Sequence, residues 1–361
     1  MATSSKITSA EQAYEDSYAA PQDPPPDIVV YNELRSCADL YRLYSKGQLE
    51  IKPDFQRDVV WKSPDKTRFI DSLMKQLPIP SMCFGYDNST AKWIVIDGLQ
   101  RMSSIVEFLD PKSEWKLSKL PDIDPKIAGE RVSALRDATS PLHVMYERVE
   151  NLTLPVTVLR CDFSSGEHME YLFKIFHRLN AGGIRLTNQE IRNCIYSGDF
   201  NSMLMTLDDT PNWIEAKKYI TGRKDRFRSV ELILRIFAFQ DNLESYNGNL
   251  TTFLNTFMKC HRLDGAAQIK KYKRRFEQVA EIFVTKVAEH IEKIGFSQAE
   301  ALLVAVAINS KSLLSSTPLA MKKKIGKFYK IELLQTAALS SDLSRTEHVQ
   351  QRINEAIQAL S

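Results

Sequence analysis

The chain has 361 residues, 43% of them hydrophobic and 26% charged, which is the balance of a globular protein and enough length for two domains. Lys and Arg number 48 against 45 Asp and Glu; the net charge of +3 excludes a surface coated in nucleic acid but leaves room for a local basic patch. Cys37, Cys83, Cys161, Cys194 and Cys260 form no Cys-x-x-Cys pair, and there is neither a signal-like N-terminus nor a run of about 18 apolar residues, so a reduced, cytoplasmic protein without a membrane span is expected.

Residues 1–27, rich in Ser, Ala and acidic residues and ending in Pro21-Gln22-Asp23-Pro24-Pro25-Pro26, read as a disordered tail. From 28 to 198 strand and helix patterns alternate, giving an α/β or α+β domain. Residues 199–361 read as successive amphipathic helices, an all-α domain. Ser63-Pro64-Asp65 opens a helix striped by Phe69, Ile70, Leu73, Met74 and Leu77 and ended by Pro78 and Pro80. Residues 82–86 and 93–96 flank the turn formers Asp87-Asn88-Ser89-Thr90, which predicts an antiparallel hairpin. After Gly98 the period becomes helical through Met102, Ile105, Val106 and Leu109. One helix is expected near 126–137, and a strand over 154–159 whose Pro155 points to an edge or bulge. Ser164-x-x-Glu167 and Thr187-x-x-Glu190 each match a capping box, on either side of the loop Asn180-Ala181-Gly182-Gly183.

The strand-to-helix junction Asp97-Gly98-Leu99-Gln100-Arg101 carries the chemistry. A helix N-terminus leaves N–H groups unpaired and partly positive, so a glycine turn leading into it is an anion seat. Arg101 offers two parallel N–H bonds to a phosphate, Gln100 offers neutral donors, and the Asp97 carboxylate suits Mg²⁺ or the orientation of a water. The same pattern is also a common way to start a helix, with Arg101 as a plain surface cation.

Four ordered segments resemble a known family: Phe55-Gln56-Arg57-x-x-Val60-Trp61, Leu73-x-x-x-Leu77-Pro78-Ile79-Pro80, Ile96-Asp97-Gly98-Leu99-Gln100-Arg101 and Leu179-Asn180-Ala181-Gly182-Gly183-x-x-Leu186-Thr187. They look like the N-terminal domain of GmrSD-type modification-dependent restriction endonucleases, over about residues 30–240 and including Asp225-Arg226-Phe227 and the helix of Glu231 and Arg235. The resemblance implies a ParB/sulfiredoxin-like fold that binds and hydrolyses an NTP with Mg²⁺. It assigns catalysis to Asp97 and Arg101, the metal to Asp97, and nucleotide contacts to Gln56, Arg57, Gly98, Gln100, Arg101 and Asn180, with Arg185 and Arg192 as further anion contacts. One departure stands out: the family's Asp-Gly-Gln-Gln-Arg has Leu99 at its first Gln, which removes a side-chain hydrogen bond and weakens the case for hydrolysis. Trp61 reads as core in preference to a base-stacking platform.

The six histidines are dispersed, without the strand–loop–helix context of the HNH nuclease that many family members carry, so any DNA cleavage is expected from a separate nuclease subunit. The basic runs 270–275 and 321–327 suit either a DNA backbone or a solvated helix face, and Glu277 and Glu281 partly neutralise the first. Leu232, Leu234, Ile236 and Phe237 read as packing. Three functional readings result: a nucleotide-dependent module of a DNA-targeting restriction or defence system, a metal-dependent nuclease using Asp97 and Arg57, and a non-enzymatic DNA- or protein-binding adaptor with a degenerate pocket.

Overall fold

The computed structural model describes residues 2–15, 24–51, 61–179, 186–222, 227–336, 338–340 and 343–361. Gln56, Arg57, Asn180, Arg185, Asp225 and Arg226 lie outside the described residues. The chain divides into a mixed α/β unit, residues 21–185, and a helical unit made of residues 1–20 and 186–361. The helical unit therefore starts earlier than the expected residue 199, and it also takes in the N-terminal helix α1 (Ala2–Glu15).

In the α/β unit the elements run β1 (Val29–Ser36), α2 (Cys37–Ser45), β2 (Leu49–Glu50), α3 (Ser63–Met74), β3 (Met82–Asp87), β4 (Lys92–Asp97), α4 (Leu99–Leu109), α5 (Val132–Arg136), α6 (His143–Asn151), β5 (Thr153–Cys161) and α7 (Gly166–Leu179). The five strands lie in the order β1-β5-β3-β4-β2, with β1·β5 and β3·β4 antiparallel and β5·β3 and β4·β2 parallel. The expected hairpin is β3–β4. Alternation along the strands sends Met82 and Phe84, Trp93 and Val95, and Leu154, Val156 and Val158 into one core with the apolar faces of α2, α3, α4 and α6. On the opposite face α7 packs against β4.

Several expectations change. Leu77 lies beyond the end of α3 and is 49% exposed, because the chain leaves the helix at Lys75 and passes through left-handed Gln76. The helix placed at 126–137 shrinks to α5. Pro155 sits in an inner strand, opposite Leu34 and one residue before the β3 ladder begins at Val156, so its missing N–H falls at the end of that ladder. Ser164 bonds Asp162 in place of capping α7, whereas Ser165 accepts the His168 N–H.

The tail expectation fails at both ends. The His168 ring accepts the Asp162 N–H at Nδ1 (2.9 Å), so its Nε2–H faces Asp27 at 2.9 Å and fastens the start of the α/β unit to α7. Asp27 is held below the usual carboxylate range mainly by that hydrogen bond. In the helical unit Glu11, Tyr14 and Glu15 recur at i, i+3 and i+4 on one face of α1, and both Tyr14 and Glu11 are buried.

The helical unit continues with α8 (Asn188–Ile195), opened by the expected Thr187–Glu190 capping box, then α9 (Asp199–Asp208), α10 (Pro211–Lys217), α11 (Arg228–Asn242), α12 (Leu250–His261), α13 (Ala266–Ile282), α14 (Phe296–Ile308), α15 (Ser310–Leu314), α16 (Pro318–Phe328) and α17 (Thr346–Leu360). Its second half is helical as expected, and Leu232, Leu234, Ile236 and Phe237 are core. Nearly all of α14 is apolar and buried, and it packs on α11 and α17. Inside this core lies a chain of buried ion pairs. Arg235 reaches Glu231 at 2.5 Å and Glu300 at 2.8 Å, Arg352 reaches Glu300 at 2.8 Å, and Arg228 reaches Glu11 at 2.8 Å and Glu15 at 3.0 Å. Arg192, expected as an anion contact, is fully buried and donates to Glu231 and Gln189. No helix among the described residues is long and apolar enough to cross a membrane.

Removing one partner of a buried pair strands the other charge, which costs about 3–5 kcal/mol. Glu300→Gln, at a fully buried position holding two arginines, is expected to lower the unfolding free energy of the helical unit by that much. Equilibrium urea unfolding followed by far-UV circular dichroism measures it.

Candidate functional site

The junction between β4 and α4 is shaped by a bulge. Cys83 pairs with Asp97 but Phe84 pairs with Val95, leaving Ile96 unmatched. Strict alternation from Val95 would put Asp97 on the core side; the extra residue sets it opposite Cys83 instead. The register then continues in a row across the sheet, Cys83 beside Thr157 and Thr157 beside Asn32. The Cys83 thiol is pushed up to about 12, chiefly by burial and in addition by the negative charge of Asp97.

Gly98 follows with φ +92° and ψ 19°, the left-handed region, and serves as the N-cap of α4. A Cβ here would lie 2.7 Å from Met82 Cγ, so backbone conformation and space both demand glycine. Glycine has no side chain with which to cap the helix. Among the described residues the N–H groups of Leu99 and Arg101 meet no acceptor.

The other polar side chains of the motif are engaged. Arg101 donates through Nη1 to the carbonyl oxygen of Pro80 and through Nη2 to that of Ser81 (3.4 Å) and to Asp97 Oδ2 (2.8 Å). Three of the five guanidinium N–H groups are used in this way, and its side chain is 14% exposed. Asp97 is 37% exposed and its Oδ1 has no partner among the described residues. Gln100 Oε1 accepts the Trp61 N–H at 3.0 Å, fixing the start of α3 against α4, and the Trp61 ring packs edge-on against Phe69 at 5.5 Å in the core, as expected. Leu99 packs partly buried against the same core. The structure therefore brings Asp97, Gly98, Gln100 and Arg101 together on one turn, while Gln56, Arg57 and Asn180 lie outside the described residues. The carbonyls of Pro80 and Ser81 were not foreseen as partners. The Leu-Pro-Ile-Pro run was the available signal, since prolines, lacking N–H donors, keep residues 78–80 out of the ladder and leave their carbonyl oxygens to side-chain donors.

With this geometry in place, the comparisons bear on it. Residues 38–197 match the family model of the GmrSD restriction endonuclease, N-terminal domain. Over this segment the chain is similar to GmrSD-type N-terminal domains. No curated protein and no solved structure matches the chain. The matched segment takes in the Asp97–Arg101 turn and the core beneath it and extends to the end of α8, past the boundary of the α/β unit at 185. Among the described residues no three His, Cys, Asp or Glu side chains are grouped to hold a metal ion.

Gly98→Ala forces an L-residue into left-handed backbone against Met82. It is expected to destabilise the α/β unit by roughly 1–3 kcal/mol, read as a lower melting temperature by differential scanning calorimetry.

Proposed function

We propose that the Asp97–Arg101 turn seats the phosphates of a nucleoside triphosphate with Mg²⁺, and that the chain is the nucleotide-dependent module of a DNA-targeting restriction system. In this reading the α/β unit is of the ParB/sulfiredoxin-like kind, and the group that cuts DNA sits on a separate partner. The observation that carries the proposal is the left-handed Gly98 at the N-terminus of α4, where the N–H groups of Leu99 and Arg101 meet no acceptor among the described residues and the Arg101 guanidinium belongs to the same turn. The phosphates take the N–H groups of Leu99 and Arg101 and the remaining guanidinium donors of Arg101, while Gly98 allows their close approach. Mg²⁺ typically binds through one or two carboxylates, with phosphate and water oxygens completing its shell. A lone carboxylate whose Oδ1 meets no donor among the described residues fits that need without a three-residue cluster. Bound there, the ion would neutralise phosphate charge; Asp97 would hold it, and Arg101 would steady the transferred group. Gln56, Arg57 and Asn180 complete the set of nucleotide contacts on the family resemblance.

A second reading has its own support. Arg101 and Gln100 spend hydrogen bonds on Pro80, Ser81, Asp97 and Trp61, and Leu99 replaces a polar residue. Such a turn also serves as a staple in a non-enzymatic adaptor.

Calorimetric titration of the four NTPs with Mg²⁺, paired with a phosphate-release assay, separates the readings. Losing a charge-assisted bond worth about 1.5–3 kcal/mol, Arg101→Ala is expected to weaken binding at least about tenfold. Asp97→Asn is expected to remove the Mg²⁺ dependence. Circular dichroism melts identify a variant that has lost its fold. Wild-type binding that Arg101→Ala leaves intact ends the nucleotide proposal. DNA binding indifferent to nucleotide favours the adaptor, and metal-dependent nicking without nucleotide favours a nuclease.

A further inference from the structure

The two edges of the sheet are unlike. β2 closes one side with two residues, too short to template further pairing. β1 closes the other with eight, matched to β5 along its whole length without a register shift. Beyond that ladder residues 29–35 make no main-chain hydrogen bond among the described residues, so a row of N–H and C=O groups faces outward. Monomeric proteins usually blunt such an edge with charged side chains, lysine above all, or with proline, a bulge or shortness; Val29–Ser36 has no lysine, proline or bulge, and its charges Glu33 and Arg35 are spent on each other. It also shows Val29 at 42%, Val30 at 55%, Tyr31 at 37% and Leu34 at 71% exposure, four large apolar side chains within six positions.

We infer that β1 pairs antiparallel with β1 of a second copy of this chain, about a two-fold axis through Asn32, joining the two sheets into one of ten strands. The edge is self-complementary. A two-fold axis normal to the sheet keeps each face on its own side, so the paired residue numbers must sum to an even number. Centring on Asn32 sets Val30 against Leu34 twice, which brings together the two most exposed apolar residues, and uses the strand from 29 to 35. The charges agree with this register. Glu33 faces Tyr31 and Arg35 faces Val29, so no like charges meet across the junction. Within its own chain Arg35 already holds Glu33 and Asp39 at 2.5 Å and lies over the Trp93 ring, so no charge would be covered without a partner. The inference is independent of the nucleotide proposal, because β1 lies across the sheet from β4.

Sedimentation equilibrium of the full chain over a range of concentrations tests it. The mass is expected to rise from 41.3 kDa towards twice that value. The double variant Val30→Lys, Leu34→Lys, altered only at exposed positions and checked for an unchanged melt, is expected to raise the dissociation midpoint at least about tenfold. In a Cys260→Ser background, which removes an exposed thiol, Asn32→Cys is expected to give a disulfide-linked dimer under mild oxidation. A monomer mass at every concentration overturns the inference, even if an extended peptide from another protein binds the edge. So does a dimer indifferent to both lysines, or one that Asn32→Cys fails to link.

Discussion

Arg101 is the constraint around which the α/β unit is tied. Its guanidinium joins the Pro80 and Ser81 carbonyls at the start of β3 to the Asp97 carboxylate at the end of β4, and its backbone lies in the first turn of α4. One side chain thus sets the ends of two strands and the origin of a helix. Carbonyls at the margin of a sheet that find neither ladder partner nor water are costly, and the fork geometry of arginine lets it serve two of them and an anion at once. Lysine, a point charge, would not hold the same three partners in a plane.

The same constraint makes the turn two-sided. An anion seated at α4, as proposed, would have to share Arg101 with partners the fold relies on. Binding and folding would then be coupled through one residue, because whatever loosens the grip of Arg101 on Pro80 and Ser81 also frees the ends of β3 and β4. Gln100 adds a second tie from the same turn by accepting the Trp61 N–H just before α3.

What could be read from the sequence was local. The β3–β4 hairpin follows from alternation and turn residues, α4 from its apolar stripe, α8 from a reciprocal cap, and the helical second half from its period. What could not be read was set by distant partners. Nothing in residues 1–15 announces a folded helix, because α1 is held by Arg228, 213 and 217 positions from its partners Glu15 and Glu11. Arg192 looked like an anion contact because its counter-charge Glu231 is 39 residues away. Pro155 read as an edge signal because sequence does not reveal that the neighbouring ladder starts one residue later.

Burial separates two polar systems built from the same residue types. In the helical unit Arg192, Arg228, Arg235 and Arg352 meet Glu11, Glu15, Glu231 and Glu300, four against four in a desolvated interior. Burial alone would raise the carboxyl of Glu231, yet Arg235 and Arg192 outweigh it and hold that group below the usual range. Such a balanced set specifies which helices meet and has no charge to spare for a ligand. At the β4–α4 turn one arginine meets one carboxylate, both partly open to water, and Asp97 Oδ1 meets no donor among the described residues. Hydrogen-bonding capacity at a solvent boundary is what a ligand can complete, and this difference in burial, more than the motif's spelling, is why the proposed site is placed at the turn and not among the buried arginines.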